Sequence, residues 1–151
     1  MEEPKLLLVR YGEISVKGAP TRRRMQSLLA RNVEAALHRE KIDYSRVRVS
    51  QGRLLVWNPS PLDRGLETLA RVFGVVAVAP AFHRPYTGLD EALEWARGIA
   101  AEAVRGRRFK VEARRVGVEG FTSLDVKRRL GEMLVGRGGG LTLGVLRWWL
   151  T

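Results

Sequence analysis

Arg46-Val47-Arg48-Val49-Ser50-Gln51-Gly52-Arg53-Leu54-Leu55-Val56-Trp57 is the stretch that decides the fold. Val47 and Val49 alternate with Arg46 and Arg48, the period of a strand with one covered face, and Leu54 to Trp57 runs back after a Gln51-Gly52 turn. The stretch reads as a β-hairpin. Upstream, Met25, Leu29, Val33 and Leu37 recur at helical spacing through His38, with Pro20 where a first helical residue is expected. Ahead of that helix, Lys5 to Val9 is a short branched, apolar run suited to a buried strand. Downstream, Ser60-Pro61-Leu62-Asp63 has the form of a capping box, and Leu62, Leu66, Leu69 and Phe73 follow on one helical face until Gly74. Val75 to Phe82 is then a branched strand. Strand, helix, hairpin, helix and strand in that order make the split βαβ pattern of ferredoxin-like folds.

The pattern closes near Pro85, and a second unit begins with Thr87-Gly88-Leu89-Asp90, again of capping-box form. Leu93, Ala96, Ala100 and Val104 line one side of its helix. From Arg108 to Arg114, Phe109, Val111 and Ala113 alternate with Lys110, Glu112 and Arg114, as in a half-buried strand. A loop through Gly117 and Gly120 leads to a third box, Thr122-Ser123-Leu124-Asp125, whose helix carries Val126, Leu130, Met133 and Leu134. After Gly136 the glycines 138–140 break the pattern, and Leu141 to Thr151 has room for one strand at most. The expected fold class is α+β, a ferredoxin-like domain over residues 1–86 followed by an α/β domain over 87–151.

The 151 residues carry a formal charge of +11. Fifteen basic against eight acidic residues fall before Thr87, and twelve against eight from there on, so the charge is not confined to one tail. Such an excess attracts polyanions, with nucleic acid as the leading partner and an anionic membrane surface as the competitor. No apolar run is long enough to span a membrane and the first residues lack the order of a signal peptide, which predicts a cytoplasmic protein. Cysteine is absent, excluding thiolate chemistry and cysteine metal sites, and His38 and His83 alone are poor material for a metal centre. No nucleophile–base pair, carboxylate dyad or phosphate loop is legible, so no catalytic residue, metal or cofactor is expected.

Two basic clusters are candidate sites. Arg22, Arg23 and Arg24 are placed in the first turn of their helix, where the macrodipole disfavours cations, so a bound phosphate would explain them; three solvated arginines are the alternative. The preceding Gly12-Glu13-Ile14-Ser15-Val16-Lys17-Gly18 loop is not a nucleotide-binding motif, and Lys17 either pairs with Glu13 or faces phosphate. In the second cluster Lys110, Arg114 and Arg115 on a strand lie near Thr122 and Ser123 at a helix start, with Lys127 and Arg128 off the apolar stripe. Phe121 is either a hydrophobic staple or a base-stacking platform.

In these residues the sequence resembles the N-terminal half of the tRNA 4-thiouridine synthetase (ThiI-like) family, in which a ferredoxin-like domain precedes a THUMP domain. The matching pieces are the Gly12 to Gly18 loop with Arg22 to Arg24, Val72-Phe73-Gly74-Val75, the Lys110 to Arg115 strand, and Phe121-Thr122-Ser123-Leu124-Asp125-Val126 with Lys127 and Arg128. They run in order from Leu6 to about Val135. The resemblance implies tRNA binding, with a THUMP domain at 87–151 gripping the acceptor end and its 3′ single strand. It carries Lys110, Arg114, Arg115, Thr122, Ser123, Lys127 and Arg128 to the RNA surface, with Lys17 and Arg22 to Arg24 as a secondary site.

The family's ATP-pyrophosphatase part has no counterpart in the sequence, and the tail after Gly136 departs from further THUMP strands. An early stop or frame change, an artificial boundary, or a short form completed by a partner would each account for that tail; the first is the expectation. Leu146, Trp148 and Trp149 would then favour association, and homodimerisation through the tail is expected. The leading reading is a non-catalytic tRNA-binding module serving a separately encoded modification enzyme of the 4-thiouridine type. The alternatives are a non-specific RNA- or ribosome-associated interaction protein and a small autonomous RNA-modifying enzyme.

Overall fold

The computed structural model describes residues 3–12, 18–50, 52–115 and 120–135, and the backbone of 145–150. The chain divides between Arg84 and Pro85 into two compact units. The first contains β1 (Leu6–Tyr11), α1 (Ala19–Arg39), β2 (Arg46–Ser50), β3 (Arg53–Trp57), α2 (Leu62–Ala70) and β4 (Val75–Ala81). Its strands form one antiparallel sheet in the order β2-β3-β1-β4. A ferredoxin-like βαββαβ unit arranges its strands in this way, because each helix must cross from one strand to a non-adjacent one.

The pleat separates two faces. Leu7 and Val9 on β1 and Leu54 and Val56 on β3 are fully buried, and Val47, Val49 and Val78 stand on the same face at paired positions. Against them pack Leu29, Val33 and Leu37 of α1 and Leu69 of α2. Burying a leucine or valine contributes about 1.5–3 kcal/mol, so this cluster dominates the stability of the unit. Gly65 lets α2 approach: a Cβ there would lie 3.2 Å from Pro59 and 3.3 Å from a methyl of Leu7.

Two expectations need correcting in this unit. Ser60 does not cap α2: the helix is preceded by Pro61 and no side chain bonds to its first turn. The backbone of Ser60 is instead engaged with Asp43, donating N–H at 2.8 Å and accepting at 3.2 Å. Phe73 is not on the buried face of α2 but 96% exposed. The helix ends at Ala70, and the chain turns through Gly74 at φ 90°, so the i, i+4, i+7 spacing of Leu62, Leu66 and Leu69 does not extend to Phe73.

The second unit holds α3 (Leu89–Val104), β5 (Lys110–Arg115), α4 (Ser123–Val135) and β6 (Val145–Leu150). β5 and β6 pair in parallel, with Lys110 opposite Val145 and Arg115 opposite Leu150, which makes β5-α4-β6 a βαβ crossover. β6 occupies the tail in which one strand was expected; its side chains, Leu146, Trp148 and Trp149 among them, lie outside the described residues. Leu93, Ala96, Ala100 and Val104 of α3 meet Val126, Leu130 and Leu134 of α4 over Phe109 and Val111.

The two remaining capping signals diverge. Thr122 and Asp125 form a reciprocal box: the Thr122 N–H donates to the Asp125 carboxylate at 2.8 Å, and the Asp125 N–H donates to the Thr122 hydroxyl at 3.1 Å. Thr87 differs. Its N–H and hydroxyl both donate to Glu91, one residue beyond the expected Asp90, which pairs with Arg129 of α4 instead. Among the described residues no helix is long and apolar enough to cross a membrane.

Candidate nucleic-acid interface

The basic cluster of the second unit is built on β5 and the start of α4. Lys110 and Glu112, two residues apart on β5, point to one face of the strand, and Lys127 reaches the same carboxylate one turn into α4. Glu112 thereby pairs with Lys110 and, at 3.1 Å, with Lys127. Hydrogen bonds from Lys110 and then Lys127 hold its carboxyl below the usual range. Asp125 is lowered as well, first by the backbone N–H of Thr122 and then by its hydroxyl.

The strand end and helix start are tied directly. The Arg115 N–H donates to the Ser123 hydroxyl at 3.1 Å, and the Arg115 guanidinium donates to the Phe121 carbonyl at 3.0 Å. Phe121 is half-buried against the core of the unit, the position a staple occupies. Arg114 and Arg128 are exposed, and Arg128 has only a long 4.0 Å contact with Asp125. The cluster therefore presents two kinds of cation: Lys110, Arg115 and Lys127 held in place by internal partners, and Arg128 with only its long contact to Asp125. A role for Glu112 was not foreseen, because its pairing joins residues fifteen apart that only the β5–α4 packing brings together.

The other cluster sits on α1. The helix starts at Ala19, one residue before the expected Pro20, so Arg22, Arg23 and Arg24 occupy its fourth to sixth positions, at the end of the first turn and beyond it, where the dipole penalty is smaller. No acidic residue stands in the first turn, and Gly18 provides no side-chain cap. The three arginine side chains make no hydrogen bond or ion pair to a described residue, and Arg23 and Arg24 are exposed. Lys17 and Glu13 lie outside the described residues, so the proposed loop pair does too. Among the described residues, no three His, Asp or Glu side chains converge as a metal site.

A ferredoxin-like sheet and basic clusters in both units give the chain the electrostatic footprint of a nucleic-acid-binding protein. Residues 6–79 match the model of the ThiI ferredoxin-like domain family. Over 140 residues, 91% of the chain, it is 48% identical to a probable tRNA sulfurtransferase of Aeropyrum pernix, and over 132 residues 34% identical to one of Saccharolobus islandicus. The chain spans about a third of those relatives, 35% and 34% of their lengths. Among solved structures, PH1313 from Pyrococcus horikoshii superposes with a TM-score of 0.77 at 28% identity, covering 97% of this chain and 51% of that one. A 4-thiouridine synthetase crystallised with RNA and ATP shares the fold, with a TM-score of 0.68 at 22% identity over 99% of this chain and 39% of its own.

Proposed function

We propose that the chain is a tRNA-binding module that recognises the acceptor end and its 3′ single strand, for a modification of the 4-thiouridine type. The chemistry would lie outside these 151 residues, in the simplest form on a separate catalytic chain, and the module would work in the cytoplasm. The observation that carries this reading is the 48% identity to a protein named as a tRNA sulfurtransferase, over 91% of the chain, a span that takes in both basic clusters. We read residues 87–151 as a THUMP domain. The Phe121-Thr122-Ser123-Leu124-Asp125 segment supports that reading, because its cap and the Arg115 bonds orient N–H groups and hydroxyls beside Arg114, Lys127 and Arg128. Such a surface suits the phosphates and unpaired nucleotides of a single-stranded terminus.

The test is binding of intact tRNA against tRNA trimmed of its 3′ single strand, with wild type and an Arg114→Ala/Arg128→Ala variant. Trimming should weaken wild-type binding about tenfold or more and the variant should gain little from the 3′ strand. Equal affinity for both tRNAs would instead support general RNA association through charge.

A further inference from the structure

The helix-free face of the first unit's sheet carries a charge pattern that neither basic cluster includes. Its side chains are those that alternate with the core residues. Arg46 and Arg48 stand there on β2, opposite Trp57 and Leu55 of β3, and these stand opposite Leu6 and Leu8 of β1. Arg53 and Arg10 extend the face at its other end, and β4 contributes only the small side chains Ala77, Ala79 and Ala81. No acidic residue occupies any position of this face on the four strands. Arg46 and Arg48 are exposed in the full chain.

The aromatic side chain at one end of this face, Trp57, is prepared for stacking. The Arg46 guanidinium lies 4.5 Å over the Trp57 ring, and His83 meets the same ring edge-on at 4.7 Å. A planar guanidinium laid on an indole has its second face open to another planar group, and the indole N–H is buried without an acceptor. RNA-recognition modules built on a four-stranded sheet stack unpaired bases on aromatic side chains of that sheet, and arginine planes serve the same purpose. We propose that this face binds single-stranded RNA, a base stacking on Arg46 over Trp57 and the backbone phosphates running past Arg48 toward Arg53 and Arg10. The proposal deepens the tRNA reading on which it rests, giving unpaired RNA a contact on the first unit, and it is carried by different residues.

The experiment compares a short oligouridylate with a blunt RNA duplex of equal length, over a salt series, using the whole chain. Arg46→Ala/Arg48→Ala should lower oligouridylate affinity about five- to tenfold and flatten the log–log salt slope by about 0.7, the value for the one phosphate that Arg48 meets on a single strand. Duplex binding should change less than about twofold. Arg46→Lys/Arg48→Lys keeps the charge on the strand and guards against unfolding as the cause. It should retain the slope yet lose affinity, and the oligouridylate-induced change in tryptophan emission that Trp57→Phe abolishes should shrink with it. Unchanged affinity in the alanine pair would overturn the proposal and leave these arginines as guards of an edge strand. Equal losses on duplex and single strand, or full recovery with lysine, would also overturn it, because binding would then read charge alone. Arg114→Ala/Arg128→Ala, measured beside it, separates the two sites: either can lose its effect while the other stands.

Discussion

The two units of this chain contain similar numbers of basic residues, yet the structure treats them differently. In the second unit the cations are knitted to acids: Lys110 and Lys127 to Glu112, Arg129 to Asp90, Arg105 to Glu102 and Arg97 to Glu94. In the first unit Arg39 and Arg64 approach Glu40, but Arg22 to Arg24 have no carboxylate partner among the described residues, and Arg46 spends its charge on the Trp57 ring. A charge count is therefore a poor locator of an anion site. Pairing orders a cation and lowers its local field, whereas an unpaired arginine keeps its full attraction for phosphate.

The largest effects should come from the cores on which each arrangement depends. Leu54→Ala in the first unit and Leu130→Ala in the second both remove a fully buried side chain, and each should destabilise its own unit by about 2–5 kcal/mol in denaturant unfolding. If either substitution leaves RNA binding intact under native conditions while the other abolishes it, the contribution of each unit is read directly.

Next in size is the test of the unpaired arginines. Replacing Arg22, Arg23 and Arg24 together by alanine should weaken tRNA binding about tenfold and flatten its salt slope by about 2–3, close to one per phosphate contact. Lys110→Ala/Lys127→Ala should do less, because Glu112 already offsets one of the two charges. A reversed order would break the comparison between paired and free cations.

Thr122→Ala should lower the stability of the second unit by about 1 kcal/mol through loss of the reciprocal cap, and Ser60→Ala should be nearly neutral, since no cap is lost. The same unit should be the more acid-sensitive. Glu112 and Asp125 have folded pKa values below their ordinary ones, so their contributions are complete above the ordinary carboxylate value and disappear as pH falls through the folded values. Thermal unfolding between about pH 5 and pH 2 should show that loss. The smallest effect is Glu112→Gln, which should raise tRNA affinity about two- to threefold by freeing both lysines for phosphate.

The hairpin at Arg46–Trp57, the spacing of α1 and the alternation of β5 made most of the fold legible, because the periods of two and 3.6 are set by the backbone itself. Local signals failed where tertiary contacts claimed the same atoms. Ser60 and Thr122 both open a box-like sequence, but the Ser60 backbone is bridged to Asp43 while Thr122 is left to its own helix. Phe73 fits the helical period of α2 only if the helix continues, and the Gly74 turn ends it first. The candidate site was legible as a list of basic residues and not as a circuit. Glu112 to Lys127 and Arg129 to Asp90 each join elements whose proximity no local pattern announces, whereas Arg46 and Trp57 lie on the two arms of the hairpin that the alternation itself reveals.

The most direct test of the central claim is a hydroxyl-radical footprint of the chain on full-length tRNA at moderate salt. Protection confined to the acceptor stem and the 3′ terminus is the predicted result. Protection spread over the anticodon arm and the elbow alike would contradict it, and would reduce the +11 charge to a general attraction for RNA.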